Sequence, residues 1–209
     1  MIGFYSYTVI LTYVGFICGS LGIYFSFQGK TIFGIAMLLI AGFCDMFDGK
    51  VARTKKNRTP QECKFGIQID SLSDMVCFGF LPVAIAYSAG LNKFFHVIIF
   101  CCFSLAALIR LAYFNVTEEE RQEQTTEGRK LYEGLPVTST ALLIPALFVI
   151  SKDLGRLFPV IAAIYYAVIA VLFITKFHMK KSGFRSMILF IITGTIELLL
   201  IAYRHFYKV

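Results

Sequence analysis

Four of the five aspartates in this 209-residue chain fall in one short window, at Asp45, Asp48, Asp70 and Asp74. Asp45 and Asp48 are three positions apart and Asp70 and Asp74 four apart, so on helices each pair shares a face. Like charges at those spacings repel, and carboxylates beside hydrocarbon are costly unless paired, protonated or bound to metal. A divalent cation answers both problems. Oxygen ligands with no clustered His or Cys favour Mg²⁺ or Mn²⁺ over zinc. Helix capping beside a basic loop accounts for one aspartate of each pair but not for both.

The neighbouring residues narrow the chemistry. Gly49 and Ala52 are small and follow Asp48 within about one turn, which lets a bulky ligand approach. Lys50 and Arg53 can offset phosphate charge, Arg53 with bidentate geometry. Gly66 precedes Asp70 by about one turn and keeps the facing wall low. The set suggests a diphosphate substrate bridged to protein by metal, where metal stabilises charge on the transferring phosphoryl group.

The elements that must position these residues are membrane spans. Hydrophobic residues make up 57% of the chain and charged ones 16%, with a mean hydropathy of +0.72. Soluble domains carry about 25% charged residues. Apolar runs of spanning length predict helices near residues 7–27, 31–47, 72–88, 94–114, 135–150, 157–174 and 186–203, the last open to a bend at Gly194. The expected fold is all-α: a polytopic integral membrane bundle of about seven transmembrane helices, forming a single domain over 1–209 with the acidic motif at 45–74. Asp45 and Asp48 then end the second span, and Asp70 and Asp74 begin the third. The N-terminus has no Lys or Arg before its apolar stretch and reads as a retained first helix. Of the six cysteines, only Cys63 falls in a polar stretch, and no Cys-x-x-Cys occurs, so they read as small packing residues and not as a disulfide framework.

Most of the 20 basic residues follow the second, fourth and sixth spans, including Lys50, Arg53, Lys55, Lys56, Arg58, Lys64, Arg121, Arg129, Lys130, Lys176, Lys180, Lys181 and Arg185. That bias predicts a multi-pass protein of the cell membrane with the motif and the N-terminus in the cytosol. Basic groups also attract anionic headgroups of membrane lipids. The net charge of +7 is divided among short loops and does not read as a nucleic-acid surface.

Taken as a pattern, Asp45-x-x-Asp48-Gly49-x-x-Ala52-Arg53 followed by Gly66-x-x-x-Asp70-x-x-x-Asp74 resembles the CDP-alcohol phosphatidyltransferase family. All eight marker positions carry the residue types of that family, while the stretch TKKNRTPQECKF before Gly66 is longer than its usual spacer and reads as a longer cytosolic loop. DSLSDMVCFGFLP at 70–82, RLAYFN at 110–115 and YEGLP at 132–136 resemble its bacterial phosphatidylserine synthase branch, with Tyr113 standing where that branch commonly has Arg. The resemblance implies transfer of a phosphatidyl group from CDP-diacylglycerol to L-serine with release of CMP. It further implies that Asp45, Asp48 and Asp70 hold two Mg²⁺ or Mn²⁺ ions and the diphosphate. Asp74 would ligate one ion and act as general base, although a ligating carboxylate is a weak base and metal could itself polarise the hydroxyl. Gly49, Ala52, Arg53 and Gly66 would flank the CDP moiety, and the protein would form a homodimer.

Arg110, toward the cytosolic end of an apolar helix, is a contact for a substrate phosphate or the serine carboxylate, or else a structural or lipid contact. Asn115 and the Glu133–Gly134 turn complete an acceptor pocket by the same resemblance. The Glu-rich stretch 117–133 reads as a solvated helix or lid, and Glu197 has no assigned role. Gly15 and Gly19, four apart, permit close helix packing. Rival readings are the same transfer to glycerol 3-phosphate or inositol phosphate, and a small transporter.

Overall fold

Thr59 marks the point where a polar loop turns into helix. Its side chain accepts from the Glu62 N–H and the Glu62 carboxylate accepts from the Thr59 N–H, with Pro60 in the first turn. This reciprocal cap satisfies backbone donors that a helix start leaves open. The computed structural model describes residues 3–124, 131–180 and 184–206. Its helices are α1 (Ile10–Phe27), α2 (Thr31–Ala52), α3 (Pro60–Asp74), α4 (Leu81–Ser88), α5 (Phe94–Gln124), α6 (Thr140–Val149), α7 (Ser151–Leu154), α8 (Phe158–Ile174) and α9 (Phe184–Phe206). Two short strands, β1 (Leu131–Glu133) and β2 (His178–Lys180), pair antiparallel with Tyr132 opposite Met179.

The protein is an all-α polytopic membrane bundle. Among the described residues, six helical stretches are long and apolar enough to cross a bilayer: Tyr7–Phe27, Thr31–Ala52, Pro60–Ser88, Phe94–Arg121, Ser151–Ile174 and Met187–His205. The expected fifth span is the shorter Val137–Val149. Apolar stripes at helical spacing face outward, as at Val160, Ile164, Val168 and Val171 on α8, where lipid can cover them. Inside lie Ile35, Leu38, Phe78, Leu81, Ile85, Phe103, Ile144, Tyr166 and Phe173. Because lipid tails are as apolar as these side chains, close packing and internal hydrogen bonds must hold the bundle. α1 and α2 pack along much of their length. A Cβ at Gly15 would sit 3.3 Å from Cys44, and one at Gly22 would come within 2.9 Å of both Leu81 and Met37.

Two span boundaries are corrected, and one open point at Gly194 is decided. The third span begins at Pro60 and not near 72, so half of the supposed loop is helix, Cys63 is helical, and Asp70 and Asp74 lie well inside the element. The expected fourth span, α5, runs on to Gln124 because the segment from Thr117 is rich in helix-forming Glu, Gln and Arg. α9 is continuous through Gly194, where an added Cβ would meet Leu39 at 2.9 Å. Among the described residues all six cysteines are free. Glu127, Arg129, Lys130, Lys181 and Lys208 lie outside the described residues.

Between α3 and α4 the chain winds as a π-helix over Met75–Phe80. Such wide turns leave carbonyls off the regular ladder. Here Ser104 of α5 donates to Gly79 O at 3.1 Å, and the buried Tyr166 hydroxyl of α8 donates to Pro82 O at 2.7 Å.

Candidate metal and phosphate site

α2 contributes Asp45 and Asp48, and α3 contributes Asp70 and Asp74, each pair on one helical face. The two faces meet. Carboxylate oxygens of Asp45, Asp70 and Asp74 lie within 4.8 Å of one another. Asp48 stands about one helical turn along α2 from Asp45 and completes the set of four. Asp48 and Asp74 are buried, while Asp45 and Asp70 are half-buried.

α1 closes one side of the cluster. The Thr12 hydroxyl donates to Asp48 Oδ2 at 3.3 Å, and Ser73 donates to the Thr12 carbonyl at 3.4 Å. Cys77 reaches Gly15 O at 3.4 Å. Asp70 Oδ1 is buried with no hydrogen-bond partner. A buried carboxylate oxygen without a donor, set among further carboxylates, is unfavourable as it stands and is satisfied by a cation. With oxygen donors and no His or Cys in the triad, the residues fit a hard divalent ion such as Mg²⁺ or Mn²⁺.

The flanking motif residues line the approach. The space above Gly49 is open except for Arg53, whose Nη2 would lie 3.7 Å from an added Cβ. Arg53 is exposed and folds back, its Nε donating to Gly49 O at 2.8 Å. Ala52 is half-buried on the same last turn. Gly66 is covered: Arg58 Nη2 lies 2.7 Å from where its Cβ would be. Lys50 turns instead toward Met187 of α9 and the Phe47 ring.

Asn115 of α5 borders α3. Ser71 donates to its Oδ1 at 2.5 Å, and its Nδ2 donates to Gln68 Oε1 at 3.2 Å. Gln68 in turn donates to Glu119 at 3.1 Å, which ties the extended end of α5 to the helix bearing Asp70. Arg110 is buried lower on α5, its guanidinium 5.8 Å from the Phe114 ring centroid. The Tyr113 hydroxyl donates to Glu133 at 2.6 Å, and Lys176 stands over the Tyr113 ring. Hydrogen bonding to Tyr113, then the charges of Tyr113 and Glu133, push the Lys176 ammonium pKa up. Gly134 turns the chain beside them with φ +72°, and an added Cβ would meet Thr175 O at 2.9 Å.

A family model described as CDP-alcohol phosphatidyltransferase matches residues 7–175, a range that contains every one of these groups except Lys176 and Met187. The chain belongs to the CDP-alcohol phosphatidyltransferase family. It is 41% identical over 108 residues to a CDP-diacylglycerol–serine O-phosphatidyltransferase of Saccharomyces cerevisiae, covering 51% of this chain and 38% of that one. An archaetidylserine synthase of Methanothermobacter thermautotrophicus is 32% identical over 131 residues, covering 62% and 52%. A CDP-diacylglycerol–serine O-phosphatidyltransferase of Bacillus subtilis is 33% identical over 114 residues, covering 53% and 62%. The chain thus spans less than two thirds of the length of each of these relatives.

Some parts of this phosphatidyltransferase site were not legible beforehand. Thr12 lies on the α1 face marked by the small residues Gly15, Gly19 and Gly22 at helical spacing, but no local pattern singles out its hydroxyl as a partner of Asp48. Ser71, Ser73 and Gln68 did carry one: they interleave with Asp70 and Asp74 at positions that helical geometry turns toward α1 and α5.

Proposed function

We propose that the chain is a phosphatidylserine synthase, transferring the phosphatidyl group of CDP-diacylglycerol to the hydroxyl of L-serine and releasing CMP. The observation that carries this reading is the convergence of Asp45, Asp70 and Asp74 from two facing helices inside the family match. The choice of serine is supported by relatives named for that reaction. Bound Mg²⁺ or Mn²⁺, as one ion or two, would supply neutralisation of the diphosphate and of charge developing on the transferred phosphoryl group.

Asp45, Asp48, Asp70 and Asp74 are the residues that would hold it. Asp74, buried at the head of the π-helix, accepts the serine hydroxyl proton on a carboxylate oxygen. The serine oxygen then forms a bond to the phosphorus of the phosphatidyl group. The bond from that phosphorus to the bridging oxygen breaks, and CMP leaves with the electron pair. Gly49, Ala52, Arg53 and Gly66 lie along the CDP moiety. Arg110 meets the serine carboxylate, and Asn115 sets α5 against α3 beside it. The same reading puts the motif and the N-terminus in the cytosol, with two copies of the chain paired in the membrane.

CMP release from CDP-diacylglycerol by the purified chain tests the proposal, with L-serine, glycerol 3-phosphate and inositol phosphate compared as acceptors. Serine-dependent release that EDTA abolishes and Mn²⁺ or Mg²⁺ restores is the expected result. Release with another alcohol alone overturns the serine assignment, and no release with any acceptor overturns the transferase.

A further inference from the structure

Arg58 lies in the polar stretch 53–59 that joins α2 to α3, and its guanidinium rests on Gly66. Gly66 and Asp70 share a face of α3, about one turn, or about 5.4 Å, apart. The guanidinium therefore stands beside the carboxylate triad on the wall where a missing side chain leaves room. Its fixation there is thin. Nη2 donates to the Glu62 carbonyl at 3.2 Å, while Nε is buried with no hydrogen-bond partner. The nearby acid, Glu62, is taken by Lys55 at 2.6 Å and by the cap of α3. A buried guanidinium donor without an acceptor is unfavourable, and it calls for a partner that the contacts at Gly66 and Glu62 do not supply.

We propose that Arg58 is a ligand of the substrate diphosphate, held over Gly66 until the nucleotide enters. The inference rests on the nucleotide-lipid reading given above. A CDP moiety seated on the triad extends along α3 toward Gly66 and needs the volume that the guanidinium fills. Displacing Arg58 breaks one 3.2 Å bond to a carbonyl, and its planar fork gains paired, charge-assisted bonds to phosphate oxygens. The segment that carries it is the longer spacer before Gly66, so the insertion delivers a second arginine to the site beside Arg53.

The test uses the purified full chain with Mn²⁺ and measures CDP affinity by calorimetry, with KM and kcat for the transfer. Arg58→Ala should weaken CDP binding and raise KM for CDP-diacylglycerol by about tenfold, leaving KM for the alcohol unchanged. Arg58→Lys should recover part of the loss. Lys55→Ala removes the same unit charge from the same loop and should leave CDP affinity within about twofold of the parent. Equal CDP binding by the parent and Arg58→Ala overturns the role of Arg58 and leaves the transferase reading intact. An equal loss in Lys55→Ala also overturns it, since loop shape or bulk charge would then be the cause. Failure of the parent itself to bind CDP overturns the transferase reading together with this one. Thermal midpoints of all variants identify any that fail to fold, in which case Arg58→Lys alone decides through its KM for CDP-diacylglycerol.

Discussion

The hydroxyl of Thr12 on α1 donates to Asp48 Oδ2 on α2, so a helix with no acidic residue of its own is joined to the carboxylate cluster. The bond is buried and fixes the orientation of one aspartate whose neighbours repel it. Groups that orient metal ligands from behind commonly change metal affinity by about 10–100-fold when removed. Thr12→Val should therefore raise the metal concentration for half-maximal activity by about tenfold, with near-parental rate at saturating Mn²⁺. Thr12→Ser should restore the original titration. An unchanged metal titration for the valine variant would detach Thr12 from the site.

Asp74→Asn keeps the size of the side chain and removes its capacity to take a proton. Turnover, followed as CMP release, should fall by at least about 100-fold while CDP affinity stays within an order of magnitude of the parent. Near-normal turnover would reassign the proton to another group.

Gly29 and Gly134 share φ +72° but differ in surroundings: an added Cβ meets nothing within 4 Å at Gly29 and a carbonyl at 2.9 Å at Gly134. Gly29→Ala should cost about 1 kcal/mol, the left-handed conformation alone. Gly134→Ala adds crowding and should cost about 3 kcal/mol. Thermal unfolding in detergent should rank the two in that order, and equal losses would show that the turn at Gly134 yields freely.

Tyr166 spends its hydroxyl on Pro82 O from a fully buried position. Tyr166→Phe should lower stability by about 1 kcal/mol without altering the metal titration.

The acidic site was legible because helical spacing alone puts Asp45 with Asp48 and Asp70 with Asp74, and membrane cost demands a partner for them. The spans were legible as apolar runs. Their ends were not, because hydropathy stops where the bilayer stops while helices continue into water. Thr59, Pro60 and Glu62 form a recognisable start signal, yet it precedes residues too polar for a span criterion to include. Glu118 to Gln124 extends α5 for the same reason. The pairing of Leu131–Glu133 with His178–Lys180 joins three-residue segments across the whole of α6 to α8, and no local pattern specifies such a contact. The family resemblance places Arg53 against the nucleotide, whereas in the fold its Nε donates to Gly49 O at its own helix end.

The wide winding at Met75–Phe80 has a consequence for how this helix can vary. Each residue there turns through less than the usual angle of about 100°, so the stretch with the aspartates and the stretch with Leu81 and Ile85 are keyed at different angles. Winding the same six residues as regular α-helix would swing Asp70 and Asp74 relative to the interior by roughly 100°, about the turn of one residue, whereas deleting one residue together with that rewinding would leave them aligned. The extra residue and the wide winding are therefore matched, and a transplanted copy of the motif would have to carry both or neither.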